Sequence, residues 1–92
     1  MMPQVQAKEK RREPRRSADG SVHVIYFDPQ KVDVVGRLID VSQSGFRMEH
    51  SCASLSTGQV VDFSHSEAAG RARVMWKRIM GESVESGFLV VK

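Results

Sequence analysis

The sequence predicts an all-β domain: a small antiparallel barrel or sandwich of six short strands, led by a flexible basic arm. Three observations carry this. Apolar and polar residues alternate with a period of two in several stretches, the pattern of a strand with one buried face. Turn residues punctuate the chain at intervals of roughly ten residues, the spacing of small barrels and sandwiches. No stretch of about ten residues carries an apolar helical stripe, and 92 residues suffice for one domain.

The arm comes first, over residues 1–16, and the barrel domain follows over residues 17–92. Residues 1–7 have no periodicity, and such a terminus is expected to be mobile. Lys8, Lys10, Arg11, Arg12, Arg15 and Arg16 then stand against only Glu9 and Glu13. The arm therefore holds +4 of a chain total of +3, and the body sums to −1. A basic arm wants an anionic partner: nucleic acid, lipid headgroups, a nucleotide or an acidic protein. Pro14 keeps Glu13 out of helical geometry. Ser17-Ala18-Asp19-Gly20 is the first turn signal.

Ser21–Phe27 reads as the first strand, with Val22, Val24 and Tyr26 on one side and His23, Ile25 and Phe27 on the other. Asp28-Pro29-Gln30-Lys31 breaks it. Residues 32–41 form the second strand, placing Arg37, Ile39 and Val41 on one face and Leu38 and Asp40 on the other. Gly36 marks a bulge or a close backbone approach. Asp40-Val41-Ser42-Gln43-Ser44-Gly45 then turns the chain. Asp and Ser side chains bond nearby backbone groups, and Gly45 is able to take a positive φ. A carboxylate, a hydroxyl and a backbone N–H would converge on one side of this turn.

Phe46, Met48 and His50 alternate with Arg47 and Glu49 in the third strand. Residues 51–58 form a loop with Leu55 tucked inward, and residues 59–64 a fourth strand. Residues 65–70 connect, with room for one helical turn over residues 67–73. In residues 71–78 the alternation is cleanest, with Ala72, Val74 and Trp76 on one side and Arg71, Arg73, Met75 and Lys77 on the other. Residues 81–86 turn, and residues 87–91 close the domain.

Composition excludes several classes. Apolar content of 40% and charged content of 27% are those of a soluble globular protein. No apolar run reaches membrane-span length, and there is no signal-peptide pattern. Cys52 is the only cysteine, so no internal disulfide forms and a reducing cytoplasm is the expected compartment. His23, His50 and His65 do not stand at metal-ligand spacing. No phosphate-cradling glycine loop or dinucleotide fingerprint is present. Asp40 and Ser42 lack a third group to hold them as base and nucleophile. No catalytic role, metal or cofactor is expected.

Arg11-Arg12-Glu13-Pro14-Arg15-Arg16, followed by Asp40-Val41-Ser42-Gln43-Ser44-Gly45, resembles the two signatures of the PilZ domain family. These are an Arg-x-x-x-Arg motif before the first strand and an Asp-or-Asn-x-Ser-x-x-Gly motif between two later ones. Arg11 with Arg15, or Arg12 with Arg16, fits the first; Asp40, Ser42 and Gly45 fit the second. Gly70-Arg71-Ala72-Arg73-Val74-Met75-Trp76 and Ser86-Gly87-Phe88-Leu89-Val90 resemble the family's late strands.

The resemblance implies a six-stranded β-barrel that binds the second messenger cyclic di-GMP. It would be a non-enzymatic receptor that changes conformation and signals to a protein partner. Arg11, Arg12, Arg15 and Arg16 would carry the arm's role, and Asp40, Ser42 and Gly45 the turn's. A guanidinium forks onto guanine O6 and N7, binds phosphate or stacks on a base. Asp40 would accept from the guanine edge or orient an arginine. Lys10 or Arg11, by register, is the basic residue that in the family accompanies an intercalated ligand pair. Many members continue into a terminal helix that this sequence, ending at Lys92, does not contain, so an apolar rim is expected there. A carboxylate reserved for ligand would be dispensable for stability, so Asp40→Ala is expected to leave the melting temperature nearly unchanged.

Two other readings remain open. One is a degenerate member of the family that binds protein and no nucleotide; the intact motif residues count against it. The other is a nucleic-acid-binding small barrel, which needs aromatic residues on an exposed face. Only 7% of residues are aromatic, and most occupy apparent core positions.

Overall fold

The computed structural model describes residues 14–91. The Arg11 and Arg12 assignments, and most of the arm, lie outside the described residues. Seven strands are present among them: β1 (Arg16–Ser17), β2 (Ser21–Phe27), β3 (Lys31–Val41), β4 (Gly45–His50), β5 (Val60–His65), β6 (Ala68–Met80) and β7 (Ser83–Val91). They run in the order β1-β3-β2-β5-β6-β7-β4, and β3 also pairs with β4. That second pairing closes β2 to β7 into a six-stranded antiparallel barrel. The all-β barrel is therefore the observed fold, with β1 as one strand beyond the six. β1 extends the edge of β3 past the end of β2, setting Arg16 opposite Val41 and Ser17 opposite Asp40.

Alternation explains the interior. Val22, Val24 and Tyr26 of β2, Phe46 and Met48 of β4, and Val61 and Phe63 of β5 are buried, as is Leu55 from the loop before β5. Each such side chain contributes about 1.5–3 kcal/mol when removed fully from water. Phe46 stacks on Phe88 at 4.7 Å and 10°, and tilts against Phe63 at 4.8 Å. This aromatic trio lies directly beneath the β3–β4 turn.

The strand ends differ from expectation in two places. β5 and β6 pair from His65 opposite Ala68 onward, so residues 67–73 contain no helical turn. β7 starts at Ser83, joined to β6 by a turn at Gly81 and Glu82, with Gly81 at φ 64°. Ser83, Glu85 and Ser86 make residues 83–86 look like a turn, but partners on neighbouring strands satisfy Glu85 and Ser86. Glu85 accepts from Arg78 at 3.0 Å, and Ser86 bonds His50 at 2.8 Å.

Two β-bulges also overturn the expected faces. On β3 the register jumps from Leu38 opposite Met48 to Asp40 opposite Arg47, leaving Ile39 extra. Leu38 and Val41 therefore share the interior, and Asp40 moves to the outer face beside Arg47. On β6 the register jumps from Val74 opposite Phe88 to Trp76 opposite Gly87, leaving Met75 extra. Trp76 moves in the same way from the core side to the outer face. Bulges re-aim side chains in just this manner. Gly36 is not at a bulge; a Cβ there would overlap the carbonyl oxygen of Glu49.

His50 is buried, and its Nδ1 accepts the Cys52 N–H at 3.0 Å, so Nε2 carries the proton and donates to Ser86 Oγ. Burial, then the charge of Lys77, holds its pKa below the ordinary 6.5. A base with a depressed folded pKa contributes stability above its unfolded pKa and loses it as pH falls through the folded one. The melting temperature should therefore fall as pH drops below 6.5, before the carboxylates titrate, and His50→Gln should make that fall shallower. Calorimetry across this range checks it; an unchanged slope in the variant would contradict the assignment.

Candidate functional site

The turn at residues 42–44 is tied down on both sides. The Ser42 N–H donates to the Gly45 carbonyl at 2.8 Å, and the Ser42 hydroxyl leans on the same oxygen at 3.4 Å. The Val90 N–H donates to the Ser44 carbonyl at 2.7 Å, anchoring the turn to β7. Gly45 does not adopt a positive φ; Gly20, Gly58, Gly70 and Gly81 do. Its requirement is space, because a Cβ would overlap the Phe88 carbonyl oxygen. Gly45 therefore serves the close approach of β4 to β7.

Asp40 is the centre of the site. It is only 6% exposed, yet ionised groups crowd it. Arg47 Nε donates to Oδ1 at 3.0 Å and to Oδ2 at 2.9 Å, and Arg47 Nη2 also bonds Oδ2. Arg15, one residue before β1, gives Nε to Oδ1 at 3.0 Å and Nη1 to Ser42 Oγ at 3.3 Å. Burial pushes the Asp40 carboxyl up, but hydrogen bonds from Arg47 and then Arg15, with their charges, outweigh it and hold it below the ordinary value. Of the two roles open to Asp40, orienting an arginine is the one its contacts fit.

The structure brings Arg15, Asp40 and Ser42 together across separations of 25 and 27 residues. Arg16 goes elsewhere: its guanidinium makes two bonds to the Glu67 carboxylate in the β5–β6 turn, one of them at 3.2 Å. Of the arm's described arginines, Arg15 reaches the turn motif and Arg16 does not.

Beside this cluster lies a cleft of about 420 Å³. Arg15, Ser42, Ser44 and Arg47 form its polar side, and Met75, Trp76 and Leu89 its apolar side. The Trp76 indole lies across Gly87, where a Cβ would collide with it. The Arg78 guanidinium sits 5.8 Å from the Trp76 ring centre, within cation–π range. Met75 and Leu89 are 50% and 40% exposed.

Arg47 and Trp76 are among the lining residues that sequence reasoning did not name as site residues. Arg47 was legible only as an outward position two residues after Gly45. Trp76 was hidden by an alternation that the Met75 bulge interrupts. Among the described residues no three His, Cys, Asp or Glu side chains are grouped to hold a metal ion. No helix among them is long and apolar enough to cross a membrane. Compared with protein-family models and with curated proteins, the chain matches none.

The burial of Asp40 corrects the expectation that it is dispensable for stability. Replacing it strands the half-buried Arg47 without its main partner. Asp40→Asn should lower the unfolding free energy at neutral pH by about 1–3 kcal/mol, the usual cost of an unsatisfied buried group. A carboxylate with a depressed folded pKa loses its contribution as pH falls through that value, so the gap to wild type should close on acidification below 3.8. Denaturant titrations at several pH values check this; a gap independent of pH would contradict it.

Proposed function

We propose that this chain is a PilZ-like receptor that binds cyclic di-GMP in the cleft between Arg15 and the 42–44 turn, without catalysing a reaction. The observation that carries the reading is the meeting of Arg15 with Asp40 and Ser42 on the rim of that cleft. Both partners come from signatures the resemblance names, and nothing local in the sequence forces them together.

The cleft chemistry supports a guanine dinucleotide over a generic anion. Its volume lies in the range of small-ligand sites. Trp76 puts an indole in the cleft wall, and stacking a base on an aromatic is worth about 1–3 kcal/mol. Arg15 spends two bonds on Asp40 and Ser42 among its five donors, so its fork retains capacity for phosphate or the guanine O6 and N7 edge. Ser42 and Ser44 add hydroxyls at the turn. A nucleic-acid strand would need a row of such platforms, whereas this cleft has the single indole.

Asp40 and Ser42 are not placed to act as base and nucleophile. Both Asp40 oxygens accept from guanidiniums, and the Ser42 hydroxyl is engaged by Arg15 and by the Gly45 carbonyl. The action is instead a clamp. A bound dinucleotide bridges Arg15 and the 42–44 turn through charge-assisted hydrogen bonds of about 1.5–3 kcal/mol each, and the changed surface is read by a protein partner. A lone cysteine and the absence of disulfides fit a cytoplasmic setting.

Calorimetric titration with cyclic di-GMP tests this. The wild-type chain should bind, and Arg15→Ala should weaken binding at least tenfold, about 1.4 kcal/mol, while Arg47 still pairs Asp40 and the variant stays folded. No heat and no thermal shift with wild type would favour a protein-binding module that has lost the nucleotide.

A further inference from the structure

An uninterrupted row of alternating charge crosses the outer face of the barrel from one wall of the cleft to the other. It starts at Arg15, passes to Asp40 on β3 and Arg47 on β4, and continues to Glu85 on β7 and Arg78 on β6. Arg47 is the hinge of this row. Its Nε and Nη2 hold Asp40, while Nη1 lies 3.9 Å from Glu85 Oε2, within ion-pair range but beyond a hydrogen bond. Glu85, 8% exposed, in turn accepts from Arg78 Nη2 at 3.0 Å, and Arg78 sits over the Trp76 ring. Arg15 and Trp76 both line the cleft, yet no direct contact joins them in the row.

We propose that Arg47 is a positioning residue of the cleft, fixing Arg15 through Asp40 and Trp76 through Glu85 and Arg78. The inference rests on the reading that the cleft binds cyclic di-GMP, and it adds the means by which the cleft's two walls are held at one spacing. Strand register makes the arrangement rigid. Asp40 is directly opposite Arg47, Arg47 opposite Gly87, Gly87 opposite Trp76, and Glu85 opposite Arg78. A planar fork shared between two nearly buried carboxylates has little freedom, and a lysine cannot reproduce it. Removing the fork leaves Asp40 with Arg15 alone and Glu85 with Arg78 alone, so the two walls relax separately. Groups joined in one ion-pair network are the ones expected to show non-additive effects.

Trp76 is the sole tryptophan, so its fluorescence reports one wall without any ligand. Acrylamide quenching of Trp76 should rise in ligand-free Arg47→Met and also in Glu85→Gln, which preserves shape should the first variant fold poorly. In titrations with cyclic di-GMP, Arg47→Met should bind at least tenfold more weakly. Arg47→Lys should restore the melting temperature but not the affinity, which a merely structural charge would not do. Adding Arg47→Met to Asp40→Asn should cost less than the two separate losses combined. Unchanged quenching in both Arg47→Met and Glu85→Gln would overturn the proposal whatever the ligand does. Altered quenching in a protein whose wild type gives no heat with cyclic di-GMP would support the coupling of the walls and overturn the nucleotide reading alone.

Discussion

A buried carboxylate needs cations, and in this fold Asp40 obtains two from opposite directions. Arg47 reaches it from the neighbouring strand of the barrel and Arg15 from the segment before β1. Leaving a carboxylate at this depth unpaired would cost several kcal/mol, so the pairing is a condition of the fold as well as a feature of the site. One side chain thus links the leader segment to the barrel wall and determines which arginine faces the cleft. Arg16, its immediate neighbour, is held away by Glu67.

The barrel supplies the rigidity that this arrangement requires. Phe46 and Phe88 stack beneath the turn, and the space left at Gly45 lets β4 meet β7 closely above them. The turn is therefore fastened from below by aromatic packing and from the side by the Val90 bond to Ser44. Two single-residue insertions, Ile39 in β3 and Met75 in β6, then lift Asp40 and Trp76 out of the core pattern and onto the same outer face. An irregularity on each side of the cleft re-aims a side chain into or beside it, as bulges do.

Most of the architecture was legible in the order of residues. The alternation in β2 and β4, the inward Leu55 and the tight β3–β4 connection all follow from period-two patterning and turn chemistry. The bulges were not legible, because an extra residue shows only in the partner strand's register. Val32 to Val41 reads as unbroken alternation, and nothing within it says that Ile39 will be skipped. Residues 83–86 misread for a related reason: Glu85 and Ser86 look like turn residues until Arg78 and His50 are seen across from them. For the site, Asp40 and Ser42 stand where the turn motif puts them, and the structure sets Arg15 beside both. At Gly45 the expected cause was wrong, since crowding by Phe88 and not backbone dihedral demands glycine. Arg47 and Trp76 escaped because their importance lies in contacts made across strands.

The shared carboxylate can be observed directly. In nitrogen–proton NMR spectra of the ligand-free protein, the Nε–H groups of Arg15 and Arg47, each 3.0 Å from Asp40 Oδ1, should give two shifted, slowly exchanging signals. Both should collapse to the position and exchange rate of solvent-exposed arginine in Asp40→Asn. Signals that exchange freely in the wild type, or that survive the substitution unchanged, would contradict the account.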